Sequence, residues 1–141
     1  MTAPGCLFCS IVAGGVPAAR VLDDELCVAF LDARPLMKGH VLVVPRAHHE
    51  TLLELPAATL PALFTTVQRL VAAVTTGLGA EGAFVALNHK VSQSVPHLHV
   101  HVVPRRKGDG LRGFFWPRGR YESDAEAAEV AQRIAAALPP G

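Results

Sequence analysis

Apolar positions along this chain recur with two periods, and the switch between them marks its elements. Val21-Leu22 and Leu26–Leu31 read as two strands turning at Asp23-Asp24-Glu25, and Gly39–Pro45 reads as a third, closed by a proline that cannot continue a ladder. From Pro56 to Thr76 the apolar residues Leu60, Leu63, Phe64, Val67, Leu70, Val71 and Val74 follow helical spacing, and Gly77 and Gly79 end that helix. Gly82–Leu87 predicts a fourth strand, and a polar loop, Asn88–Ser94, leads into another extended run. Ser123 with Glu126 is a capping-box signal opening a last helix whose Ala127, Val130, Ala131, Ile134 and Leu138 share one face. Strands, a long helix, two adjacent strands and a helix fit an α+β domain on an antiparallel sheet.

The run after the polar loop carries the most chemistry. In Val95–Pro104 the histidines His97, His99 and His101 alternate with Leu98, Val100 and Val102. Strand geometry sends all three imidazoles to one face, about 6.6 Å apart per step. His97 and His101 would then start about 13 Å apart, too far to share one zinc without strong bending. The three rings are therefore expected to have different tasks. For the central one, a backbone carbonyl on Nδ1–H would leave Nε2 free to attack phosphorus or carbon. If the preceding loop folds back, the Gln93 amide and Ser94 hydroxyl could donate to an oxyanion above the rings.

Composition narrows the setting. With 141 residues, half of them apolar and 18% charged, the chain is expected to form a single globular domain spanning 1–141. No apolar stretch is expected to approach the ~20 residues of a membrane span. The N-terminus lacks a basic and an apolar signal region, so a cytoplasmic location is the expectation. Cys6-Leu-Phe-Cys9 has the spacing of a zinc half-site, although the same spacing serves redox chemistry. His48 and His97 could complete a closed Cys2His2 site, whereas Cys27 reads as a small buried hydrophobe. Arg105, Arg106, Lys107, Arg112, Arg118 and Arg120 face a single acid, Asp109, which could favour an anionic ligand. Phe114, Phe115 and Trp116 lie in that segment and could pack on a ligand or a partner. His40 reads as a hydrogen-bonding residue at a strand start, and His49 and His89 as solvent-facing.

Several ordered motifs resemble the histidine triad (HIT) superfamily of nucleotide hydrolases and transferases, in its zinc-containing bacterial type. They are Cys6-Leu-Phe-Cys-Ser-Ile11, Ala29-Phe-Leu-Asp32, Gly39–His48, Gln93-Ser-Val95 and His97-Leu-His-Val-His-Val-Val103. The resemblance runs from about residue 6 to 104, with 105–141 as a C-terminal extension; within it Gly108–Tyr121 matches nothing in the family signature and is taken as a leaving-group or dimer-partner element. It implies a five-stranded antiparallel sheet with one long helix and a C-terminal helix, paired as a homodimer. It also implies that His99 attacks the α-phosphorus of a nucleoside phosphoramidate or dinucleoside polyphosphate. His101 would bond phosphate oxygens or protonate the leaving group, and Asn88, Gln93 and Ser94 would hold the phosphate. Phe8, Ile11, Phe30 and Leu31 would form the base pocket, Asp32 would bind the ribose, and Cys6, Cys9, His48 and His97 would hold a structural zinc. No membrane or nucleic-acid partner is expected; an alternative is a nucleotide-binding interaction protein with incidental hydrolysis. Ser92 stands where the family usually has glycine, in a loop about two residues shorter than is common.

Overall fold

The computed structural model describes residues 2–112 and 117–141. The expectations for Phe114, Phe115 and Trp116 lie outside the described residues. Contacts divide the chain into two compact units, residues 1–109 and 110–141.

The first unit is built on a five-stranded antiparallel sheet in the order β1-β2-β3-β5-β4. Its strands are β1 (Arg20–Asp23), β2 (Cys27–Leu31), β3 (Val41–Pro45), β4 (Gly82–Ala86) and β5 (Val100–Arg105). The short helix α1 (Leu7–Val12) precedes them, and the long helix α2 (Leu60–Leu78) lies between β3 and β4. Side-chain alternation sorts the strands between two cores. Cys27, Ala29, Val41, Val43, Val100 and Val102 pack with Leu63, Val67, Leu70 and Val74 of α2. Val28, Phe30, Leu42 and Val44 pack with Cys6, Phe8, Cys9 and Ile11 at and within α1. Both faces of the central strands are covered, which is why they read as unbroken apolar runs rather than alternating ones.

Several elements differ from the sequence expectation. The last strand begins at Val100, so of the three histidines only His101 lies in it. A tight backbone bond from His97 N–H to Val95 O, and one from Leu98 N–H to His49 O, occupy the groups that would otherwise extend the ladder. The alternation nevertheless persists, because Leu98 joins the α2 core with Val100 and Val102. Gly77 lies inside α2, and Gly79 in the left-handed conformation (φ 64°) ends it. Phe64 flanks the buried stripe and is 41% exposed, because the packed face follows Leu63, Val67, Leu70 and Val74. Contrary to expectation, the helical stretch Ala57–Leu78 is long and apolar enough to cross a membrane by length and composition. Its buried face is nevertheless the centre of the α2 core.

One glycine position is fixed by close approach. Gly39 has φ 99°, and a Cβ there would fall 2.3 Å from Leu78 Cδ1. The positive φ favours glycine where the chain passes the end of α2 and sets His40 at the head of β3, and a larger residue would also have to displace the Leu78 side chain.

In the second unit, α3 (Asp124–Ala137) is capped as the sequence predicts. Ser123 Oγ accepts from Glu126 N–H at 3.1 Å, and the Glu126 carboxylate accepts from Glu122 N–H at 3.0 Å. None of the helix residues is buried within its own unit.

Candidate active site and adjoining metal cluster

Val95–His101 runs between two sites. On one side, Cys6 Sγ and Cys9 Sγ each lie 3.5 Å from His97 Nδ1, Cys9 Sγ lies 3.4 Å from His48 Nδ1, and the two Nδ1 atoms are 3.3 Å apart. A zinc tetrahedron with Zn–N of about 2.05 Å and Zn–S of about 2.3 Å has N···N edges near ~3.3 Å and S···N edges near ~3.6 Å. The four measured edges match such a tetrahedron, and all four donor atoms lie within 4.8 Å of one another. Two unprotonated nitrogens this close would repel each other without a cation between them.

The local structure explains how each ligand is presented. Cys6 caps α1 by accepting Cys9 N–H on its sulfur at 3.4 Å, and Cys9 Sγ accepts Ala3 N–H at 3.4 Å. His97 is fully buried, and its Nε2–H donates to Pro45 O at 2.9 Å. That bond leaves Nδ1 as the nitrogen that could ligate a metal, in the outer-sphere arrangement typical of metal-binding histidines. Burial also pushes the His97 pKa down to about 4, which holds the ring in the neutral form a metal requires.

On the other side, a cavity of about 570 Å³ is lined by Phe8, Ile11, Phe30, Leu31 and Asp32 together with Ser94, His99 and His101. These are all five residues expected at the nucleoside, two of the four expected to bind the phosphate (Ser94 and His101), and His99, expected as the nucleophile. Phe8 meets Phe30 edge-on with ring centroids 5.3 Å apart and His99 at 5.0 Å, so the apolar wall runs directly to the His99 ring. The same α1 that carries Cys6 and Cys9 toward the metal cluster thus carries Phe8 and Ile11 into this cavity.

Hydrogen bonds assign the tautomers here. His99 Nδ1–H donates to His97 O at 2.8 Å, leaving the Nε2 lone pair free. Leu36 N–H donates to His40 Nδ1 at 3.2 Å, so neutral His40 carries its proton on Nε2. That proton goes to His101 Nδ1 at 2.9 Å, and His101 is left with an Nε2–H donor. Burial lowers the pKa of His99 and His40 and brings His101 down to about 4; neighbouring His99 and His40 add to the shift at His101. All three rings are therefore neutral near pH 7. Asp32 lies 3.8 Å from His40 Nδ1, and its other oxygen accepts Arg34 N–H at 2.9 Å, so it serves the turn as well as the cavity.

Some expected residues lie elsewhere. Asn88 and Gln93 are absent from the cavity lining. The Asn88 amide donates to Ser92 O at 3.1 Å, and Gln93 is bonded within the loop and to Glu50 O. Arg105 pairs with Asp109 at 2.6 Å and Arg106 donates to Leu78 O, so these two cations of the basic run are already engaged by their own unit. His49 is half-buried rather than solvent-facing. His40 was legible as a strand-start hydrogen bonder, but not as the partner of His101, 61 residues away. The three triad histidines do not form one ligand cluster among the described residues: His97 belongs to the cysteine set, and His101 groups with Asp32 and His40.

This fold and the paired sites define a class that the comparisons identify. A family model described as HIT domain matches residues 13–108, and the chain belongs to the HIT family. A Bacillus subtilis relative named Protein hit is 35% identical over 139 residues, covering 96% of this chain and 93% of its own. The crystal structure of a HIT family member from Bacillus subtilis superposes with a TM-score of 0.87 at 31% identity, covering 97% of this chain and 99% of that one. A zinc-bound histidine triad protein from Mycobacterium smegmatis gives 0.73 at 40% identity over 94% of this chain and 97% of its own. Two relatives bear enzyme names. An adenosine 5'-monophosphoramidase of Schizosaccharomyces pombe is 36% identical over 79% of this chain and 83% of its own. An adenylylsulfatase of Arabidopsis thaliana is 32% identical over 75% of this chain and 55% of its own.

Proposed function

We propose that this chain is a HIT-type nucleotide hydrolase or transferase that cleaves at the α-phosphate through a nucleotidyl-His99 intermediate. The observation that carries this reading is the bond from His99 Nδ1–H to His97 O, which aims a bare Nε2 from a ring bordering the cavity. As Nε2 bonds to phosphorus, the bond to the leaving group breaks, and the leaving group takes its proton from solvent. Water then attacks the phosphorus, releasing the nucleoside monophosphate and the free imidazole.

His101 acts as an N–H donor to a phosphate oxygen. A neutral imidazole, held so by a pKa near 4, is a poor general acid but a good hydrogen-bond donor. Ser94 borders the same cavity and supplies a hydroxyl on the phosphate side. Phe8, Ile11, Phe30 and Leu31 take the base, and Asp32 takes the ribose hydroxyls. The names of the two enzyme relatives support nucleoside phosphoramidates, or nucleotides with an anionic leaving group, as substrates.

Zinc at Cys6, Cys9, His48 and His97 is structural in this reading. When bound, it joins α1 to the segments bearing His48 and His97 and takes no part in the bond changes. The working form is taken as a cytoplasmic homodimer, with β1 and β4 as the outer strands of the sheet within one copy.

A panel of adenosine 5'-phosphoramidate, adenylyl sulfate and dinucleoside polyphosphates tests the activity, with His99→Ala as the control. Turnover of at least one substrate that falls by about 10³-fold or more in the variant is expected. Nucleotide binding with negligible turnover across the panel would favour the interaction-protein reading instead.

A further inference from the structure

Gln93 bonds in a way that a phosphate ligand would not. Its Nε2 donates to Glu50 O at 2.6 Å and to Val95 O at 3.1 Å, and its Oε1 accepts Lys90 N–H at 3.0 Å. Both ends of the amide are thus engaged by main chain, and the side chain is absent from the cavity lining. The loop it belongs to has reason to need holding. Among the described residues, Lys90 (φ 67°) and Ser92 (φ 64°) are the two non-glycine residues in the left-handed region, a conformation in which Cβ crowds the backbone. Within the loop the Asn88 amide bonds Ser92 O, but that tie does not reach the rest of the domain.

The Gln93–Glu50 bond reaches across 43 residues to the segment that follows β3 and carries His48. Further ties join Pro45–Glu50 to Gln93–Leu98. Leu98 N–H donates to His49 O at 2.7 Å, and His97 Nε2–H donates to Pro45 O at 2.9 Å. Those two fix the chain on the histidine side of Ser94; Gln93 fixes it on the loop side.

We propose that Gln93 is a positioning residue: its amide clips the strained 88–95 loop to the backbone beyond His48 and so sets where Ser94 faces the substrate phosphate. The kinetic part of this proposal rests on the phosphate-site reading given above, whereas the loop-anchoring part does not.

The test is Gln93→Met, which keeps the length of the side chain and removes its hydrogen bonds. Amide hydrogen exchange is followed without nucleotide, with the amides of β3 and β5 as internal controls for an intact fold. Lys90 exchange is expected to rise about 10-fold, as for loss of a hydrogen bond of ordinary strength, while the strand amides stay unchanged. On the best substrate of the panel, kcat is expected to fall about 10-fold with KM within about 3-fold, because the loss is one of alignment. Adenosine and AMP should keep nearly the same affinities as in the parent protein. Unchanged Lys90 exchange overturns the proposal whatever the kinetics. So does a loss of AMP affinity, with adenosine affinity intact, that matches the loss in kcat/KM, since that is the mark of a direct phosphate ligand. The exchange measurement needs no turnover, so its failure is separable from a failure of the catalytic reading.

Discussion

His97 and His99 stand two residues apart, both buried, and they are prepared for opposite chemistry. The carbonyl of Pro45 takes the Nε2 proton of His97 and exposes Nδ1 to the cysteines. The carbonyl of His97 accepts the Nδ1–H of His99 and leaves Nε2 free on a ring that borders the cavity lined by Phe8, Phe30 and Asp32. Residue type and burial are nearly the same at the two positions, so neither decides the role. The backbone oxygen within reach of each ring does. The His97 carbonyl also links the sites, because the residue whose ring belongs to the Cys6–Cys9–His48 cluster holds the proposed nucleophile with its main chain.

Substitution should separate the two rings sharply. His97→Ala should abolish zinc binding and cost at least about 3 kcal/mol of stability, since it removes a metal ligand and leaves a buried void. His99→Ala should leave the zinc content unchanged while abolishing turnover. Metal analysis and thermal unfolding of the two variants check this, and equal zinc loss in both would break the comparison. A smaller effect is expected at His40, which assigns the tautomer of His101. His40→Ala should lower kcat about 10- to 100-fold by freeing that ring. His40→Gln, whose amide can still donate, should recover part of the loss.

Acidification sharpens the contrast differently, because it acts on both sites. His97 and His101 have folded pKa values of about 4 against an ordinary 6.5, so the unfolded chain binds more protons between those values. Stability is therefore full above about pH 6.5 and is lost as pH falls toward 4. Metal-free protein followed by thermal unfolding across this window reports the loss, and a midpoint that stays flat from pH 7 to 4 would contradict it. The smallest effect concerns the loop. Ser92→Gly should stabilise the protein by up to about 1 kcal/mol, because glycine adopts the left-handed conformation without steric cost.

Legibility in the sequence followed the distance over which each feature is set. The strands, the α3 cap and the Cys6/Cys9 pair depend on neighbours a few residues away, and their spacing exposed them. The alternation of His97, His99 and His101 with Leu98, Val100 and Val102 fixed which side the rings take, even where the regular ladder had not begun. Features set by remote partners were not legible. His40 pairs with His101, and Gln93 with Glu50, across 61 and 43 residues, and nothing local marks either partner. The exposure of Phe64 depends on which stripe of α2 meets the sheet, whereas helical period alone admits a wider face. The resemblance to a known family placed the cavity residues together, and the backbone bonding of Asn88 and Gln93 set those two apart from them.

The central claim is that backbone carbonyls assign opposite tautomers to His97 and His99. Nitrogen-15 NMR of histidine-labelled protein near pH 7 reads this directly through the couplings of each ring nitrogen to its carbon-bound protons. The account predicts protonated Nε2 at His97 and protonated Nδ1 at His99, with the other nitrogen of each ring bare or metal-bound. Protonated Nε2 at His99 would contradict it, because the nucleophilic lone pair would then point at the carbonyl of His97 and away from the substrate.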